Sequence, residues 1–134
     1  SMEAFIKEAR TSYGSTYDVT GSTGNNEVSF VNQDGNCVAF RVNGGVFQRA
    51  DIGSVATCDP GAFTPNKFSP LTGSQTNISA IHFNIVPAQV VNNKLANQGV
   101  ITINMTAQSA SSDVLPIQLE NTIVSRQMNP YVQQ

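Results

Sequence analysis

The stretch from Met2 to Gly14 constrains the fold most, because it alone carries a helical hydrophobic period. Its apolar and small residues recur every three to four positions, as in a helix that buries one face. Gly14 is expected to end the helix in the left-handed conformation. The segment therefore predicts an amphipathic helix whose packing face consists of Phe5, Ile6, Ala9 and Tyr13, with Met2 at its start and with Glu3, Lys7, Glu8 and Arg10 facing solvent.

The start of this helix is abrupt. The apolar pattern is already present at residue 2, where only Ser1 is available as a cap. We therefore expect the natural helix to continue upstream of Met2, and Ser1-Met2 to be a remnant of cloning. A short terminal helix lying on a sheet remains the alternative.

Length and charge limit the classes of protein that fit. The chain has 134 residues, which suits one globular domain over 1–134. Its net charge is -2 and its seven basic residues are scattered, so no binding of nucleic acid or of an anionic membrane is expected. Only 12% of residues are charged. A polar surface of Ser, Thr, Asn, Gln and Gly is typical of secreted or surface-displayed proteins.

The remaining chain has the period-two alternation of antiparallel strands with one buried face. It predicts a meandering sheet of about four to six strands within residues 27–126, followed by a polar tail at 127–134. A short helical turn is expected between residues 87 and 99. The fold class is therefore α+β, with one helix on an antiparallel sheet. The predicted strands are 27–31, 37–42, 46–52, 77–86, 100–107 and 116–126.

A hairpin is indicated by the sequence Asn43-Gly44-Gly45, because Asn and Gly tolerate the positive φ angles of tight turns. With Asn43-Gly44 as the two-residue turn, Phe40 lies opposite Phe47. Arg41 and Gln48 then point to the other face of the sheet.

Cys37 and Cys58 are the two cysteines, and they favour a disulfide over a metal site, since the chain has no CxxC pair and one histidine. Two buried thiols are the alternative. Between Cys58 and the next strand, the loop 59–75 contains three prolines and is expected to cross the surface. Its candidate contact residues are Phe63, Lys67 and Phe68, although a purely structural loop is an equal alternative.

Catalytic chemistry is not indicated. His82, the one histidine, lies on the polar side of its predicted strand without an identifiable nucleophile or acid partner. The nine acidic residues are dispersed, and no phosphate-binding glycine loop precedes a helix. We therefore expect no enzyme activity, no metal and no cofactor.

The order of these segments resembles the soluble part of bacterial type IV pilin-like proteins, most closely minor pilins and minor pseudopilins of the J or W type. The resemblance rests on the helix, then EVSFV, DGNCVAFRVNGGVFQR, a Pro-rich loop, SAIHFNI, GVITINMTAQS and IQLENTIVSRQMN. It spans nearly the whole chain, but its motifs are loose. The prepilin cleavage motif and the glutamate near the mature start have no counterpart in this sequence.

The resemblance implies a non-catalytic structural subunit of a type IV pilus or a type II secretion-like filament. Residues 1–14 would be the C-terminal half of a long helix whose missing first half anchors the precursor in the inner membrane. The partners would be other pilin or pseudopilin subunits, and the location would be the cell surface. The Cys37–Cys58 bridge would replace the disulfide that fastens a loop to the sheet in many pilins. The alternative is a surface-exposed binding module or adhesin that uses the Pro-rich loop 59–75.

Overall fold

A computed structural model describes residues 2–20, 26–58, 63–71, 76–109 and 117–125. The predicted tail 127–134 and parts of the Pro-rich loop, 59–62 and 72–75, lie outside these residues. The described chain contains helix α1 (Met2–Arg10), short 3-10 helices at Gly14–Thr16 and Pro65–Lys67, and strands β1 (Asp18–Thr20), β2 (Glu27–Val31), β3 (Cys37–Asn43), β4 (Val46–Asp51), β5 (Phe68–Pro70), β6 (Thr76–Val86), β7 (Gln89–Val91), β8 (Lys94–Asn97), β9 (Val100–Ser109) and β10 (Ile117–Val124).

The strands form an antiparallel five-stranded sheet in the order β1-β2-β3-β4-β5, a three-stranded sheet in the order β10-β9-β6, and the hairpin β7-β8. The protein is therefore α+β, with a helix on antiparallel sheet. The expectation of a single meandering sheet is wrong, because the strands are divided between sheets. Alternation of apolar residues tells which face of each strand is buried, but it does not tell whether two strands share hydrogen bonds or face each other.

The central hairpin forms at the expected place, but its turn lies one residue later, which shifts the strand pairing by two residues. Asn43 pairs with Val46, so the turn consists of Gly44 and Gly45, whose φ angles are 60° and 81°. Gly-Gly, like Asn-Gly, accommodates two successive positive φ angles, so the signal fixed the hairpin but not which pair forms its turn. Phe40 therefore lies opposite Arg49 and not opposite Phe47.

The segment between residues 87 and 99 is the hairpin β7-β8 and not the expected helical turn. Its turn residues Asn92 and Asn93 have φ angles of 53° and 61°, which asparagine tolerates better than most residues. Two other short strands lie where loops were expected: β1 follows the 3-10 helix at Gly14–Thr16, and β5 lies within the Pro-rich loop. Both strands are three residues long, too short to leave a clear alternation.

The core lies between α1 and the apolar faces of the two larger sheets. α1 ends at Arg10, earlier than expected, and no helix in the described residues is long and apolar enough to cross a membrane. The buried core side chains are Phe5, Ala9, Tyr17, Val28, Phe30, Val38, Phe40, Phe47, Ile78, Phe83, Ile101, Ile103, Met105 and Ile123.

Candidate functional site

Phe5 is the centre of the contact between the helix and both sheets. Its side chain is fully buried, and its ring centroid lies 4.6 Å from that of Phe40 and 5.8 Å from that of Phe47, in edge-to-face arrangements. On the three-stranded sheet, the ring of Phe83 lies 5.8 Å away. One helical side chain therefore joins β3 and β4 to β6. Of the predicted packing face, Ala9 is also fully buried and Ile6 is partly buried against the core.

Tyr13 lies beyond the end of α1, where its backbone N–H donates to the carbonyl oxygen of Val31 at 3.0 Å. It therefore continues the chain beside β2 and is not part of a helical face. Gly14 does not end the helix, because it is the first residue of a 3-10 helix. Its lack of a side chain is needed for packing: a Cβ atom there would come within 3.0 Å of the Gly99 Cα and 2.8 Å of the Ser125 Cβ.

Buried hydrogen bonds join the C-terminal end of the helix to Ser125, just after β10, and to Tyr17, just before β1. The Ser125 hydroxyl donates to the carbonyl oxygen of Ser12 at 2.6 Å, and the Tyr17 hydroxyl donates to that of Ala9 at 2.7 Å. Burial raises the pKa of Tyr17, so this hydroxyl stays protonated. These bonds satisfy carbonyl groups that a helix end leaves without partners.

Glu8 was expected on the solvent side of the helix, but it binds Arg49 of β4. The guanidinium donates to both carboxylate oxygens, from Nε at 2.8 Å and from Nη2 at 2.7 Å, and Asn32 donates to the same carboxylate at 2.9 Å. The hydrogen bond to Glu8 raises the pKa of Arg49. Arg49 shares a sheet face with Phe40, its cross-strand partner, so it points toward the helix. The position of Arg49 on the apolar side of its strand was the sequence signal for this contact with the helix.

The helix-facing side of β10 is only partly covered. Ile123 is buried, but Leu119 and Ile117 are 47% and 57% exposed, although the alternation predicted that they are buried. The reason is that β10 pairs only with β9 in the described residues and so lies at the edge of the three-stranded sheet. We call Ile117 and Leu119 the β10 strip. It continues inward to Met105 and Ala107, their cross-strand partners on β9.

The outer face of the five-stranded sheet carries the disulfide. Cys37 and Cys58 are bonded, as the sequence favoured, and Cys37 is buried on the face opposite the helix. The small side chains of Ser29, Ala39 and Ala50 form one cross-strand row there and are fully buried. The Ser29 hydroxyl has no hydrogen-bond partner in the described residues.

The predicted contact loop is attached to this face. Phe68 belongs to β5, pairs with Ala50, and packs on Phe63 with ring centroids 6.1 Å apart. The guanidinium of Arg41 lies 3.8 Å above the Phe68 ring, a cation–π contact. Lys67 is exposed. The two aromatic residues of the candidate contact set are therefore partly buried packing residues, and Lys67 is its one freely accessible member.

The outer face of the three-stranded sheet carries a shallow depression of about 520 Å³. His82, Asn104 and Glu120 form one cross-strand row across it, and Ala80, Thr106 and Gln118 form the next. His82 Nε2 lies 3.2 Å from the Asn84 side-chain oxygen. We call these two rows the sheet depression. The sequence predicted polar residues on this face, but not which of them are neighbours.

The described residues contain no group of three His, Cys, Asp or Glu side chains able to hold a metal ion. His82 lies on the sheet face, and no serine or carboxylate is recorded as its hydrogen-bond partner in the described chain. A scan against family models, a search of curated proteins and a search of solved structures found no match to this chain.

Proposed function

We propose that this protein is a non-catalytic structural subunit, a minor pilin or pseudopilin, of a type IV pilus or a type II secretion-like filament. The β10 strip carries the proposal. The helix-facing side of this sheet carries the buried Phe83, Ile101 and Ile103 but leaves Ile117 and Leu119 exposed, which supports packing of a further apolar element on them in the assembled protein. The proposal includes the location and the partners that the resemblance implies, namely the cell surface and neighbouring pilin subunits.

The direction of α1 supports an upstream helix as that element. Just beyond the end of the helix Ser12 binds Ser125, and seven residues earlier, about two turns, Phe5 contacts Phe83, which lies in the same cross-strand row as Asn121. From Ser12 back to Phe5, the helix thus runs along the sheet toward the start of β10. A helix continued upstream of Met2 would proceed in the direction of Leu119 and Ile117. The strip is then the place where the upstream helix and the next subunit pack.

The first experiment is the sequence of the natural gene upstream of Met2. An apolar segment of about 20 residues preceded by a prepilin cleavage motif supports the proposal. A native start close to Met2, or an ordinary cleaved secretory signal, overturns it.

A second experiment tests the strip in the source cells. Leu119→Asp in the natural full-length protein should abolish its recovery in sheared surface filaments. Thr122→Asp, an equally polar change on the opposite face of the same exposed strand, should leave recovery unchanged. Circular dichroism of both purified domains checks folding. Equal recovery of the two variants would refute the role of the strip.

The second candidate is an adhesin or surface binding module that uses the Pro-rich loop. One observation favours it: residues 64–67 are all exposed. The chain on either side of them is attached to the sheet, through the contact of Phe68 with Arg41 and through the Cys37–Cys58 disulfide. An exposed tip on a rigid base suits a binding loop. Lys67→Glu should then abolish adhesion of cells while leaving filament number unchanged, whereas undiminished adhesion would exclude this candidate.

A further inference from the structure

The sheet depression presents several polar side chains without a hydrogen-bond partner among the described residues. They are the side chains of Asn104, Gln118 and Glu120 and the Thr106 hydroxyl. On the outer face of the five-stranded sheet, by comparison, the side chain of Arg41 donates to that of Gln48. The depression thus holds a set of free donors and acceptors at fixed positions.

The sheet makes these positions rigid. Asn104 lies directly opposite His82 on one side and Glu120 on the other, and Thr106 lies between Ala80 and Gln118. Neighbouring strands lie about 4.8 Å apart, and residues two apart along a strand are separated by about 6.8 Å. Ala80, the smallest residue of the set, leaves room at one corner. The result is a preformed array of polar groups that spans about 10 Å across the sheet.

The chemistry of the array selects the class of ligand. No Lys or Arg lies on this face of the three strands in the described chain, and Glu120 carries negative charge, so phosphate, sulfate and nucleic acid are disfavoured. Ile81, Met105 and Leu119 also line the depression, so it combines polar groups with apolar surface, as a sugar combines hydroxyl groups with C–H faces. Amides, a hydroxyl, a carboxylate and an imidazole can each donate to or accept from vicinal hydroxyl groups.

We propose that the sheet depression binds an uncharged, hydroxyl-rich glycan of about one to two sugar rings, with the Asn104 and Gln118 amides donating to and accepting from its hydroxyl groups and the Glu120 carboxylate accepting from them. The volume of about 520 Å³ accommodates a ligand of this size. A row of valines on the same face, Val86, Val100 and Val124, would meet the C–H surface of a longer chain. The site does not depend on the filament function, because its β10 polar groups, Gln118 and Glu120, lie on the opposite face of the strand from Ile117.

The test uses the protein labelled with ¹⁵N and titrated with a panel of neutral di- and trisaccharides, with a sulfated heparin disaccharide as the anionic comparison. At least one neutral sugar should shift the amide signals of residues 80, 82, 104, 106, 118 and 120 at about 10 mM or below. The double variant Asn104→Ala/Glu120→Ala should weaken binding by about tenfold, as expected for two lost hydrogen bonds.

The matched control is Gln33→Ala/Glu3→Ala, which removes an amide and a carboxylate from exposed positions elsewhere. It should leave the affinity unchanged. No shift with any neutral sugar overturns the proposal, and so does binding that maps to other residues or survives the double variant. Stronger binding of the heparin disaccharide than of every neutral sugar would contradict the charge argument.

Discussion

Replacing Phe5 with alanine should cost more stability than any other single change in α1. Phe5 is fully buried, and its ring lies within 6.5 Å of four other phenylalanine rings, on both sheets. A buried Phe→Ala change costs about 3–5 kcal/mol. We expect about 4 kcal/mol, near the middle of that range, because two sheets meet at this residue and cannot collapse into the cavity independently.

The loss is measured by urea unfolding followed by circular dichroism. For a chain of 134 residues, 4 kcal/mol corresponds to a fall in Tm of about 14 °C. Phe5→Leu keeps most of the volume and should cost about 1 kcal/mol. The control Ile6→Ala removes a partly buried side chain from the next position and should cost about 1–2 kcal/mol. A loss below about 1.5 kcal/mol for Phe5→Ala would show that the helix is not part of the core.

Three other changes test the contacts around the helix. Glu8→Gln should cost about 2 kcal/mol in urea unfolding, because it leaves the partly buried Arg49 with the more distant Asp51 carboxylate at 3.6 Å, and the loss should persist at high salt. A loss that disappears in 1 M NaCl would show that Glu8 and Arg49 behave as a surface ion pair. Gly99→Ala should lower stability by about 2 kcal/mol, since its Cβ would lie 2.7 Å from backbone atoms of Gly14, whereas a Tm equal to that of wild type would contradict this contact. Burial raises the pKa of Glu27, so its charged form is disfavoured in the folded state, and the protein should lose stability as pH rises through that pKa. Glu27→Gln should remove this loss. If the free energy of unfolding depends on pH identically in the wild type and the variant, the assignment of the loss to Glu27 is refuted.

The sequence predicted the local structure better than the arrangement of the sheets. Strand β2 lies at the predicted residues 27–31, since Val28 and Phe30 alternate clearly and a turn cluster follows. The division into sheets was not predictable, because both groups of strands have the same period. The β7-β8 turn was missed because its two positive φ angles fall on Asn92 and Asn93 without a glycine.

The candidate sites were also hard to predict, because they depend on how the strands pair. Arg49 occupies an apolar-side position in its strand, a local sign that it binds something in the helix, but only the register identified Glu8. The sheet depression depends on which residues of β6, β9 and β10 are opposite each other, and a single sequence carries no direct signal for that register. The burial of Leu119 was predicted from alternation, which does not reveal that β10 is an edge strand.

The two proposals use opposite faces of one strand, and this allows them to be separated. Ile117 points toward the helix side and does not line the depression, while Glu120 points into the depression. Because side chains of a strand alternate between its two faces, Ile117→Asp should abolish filament incorporation and leave glycan binding intact. Glu120→Ala should weaken glycan binding and leave incorporation intact. If either variant changes both properties while the domain stays folded, the two faces of β10 do not act independently, and the separate assignment of strip and depression fails.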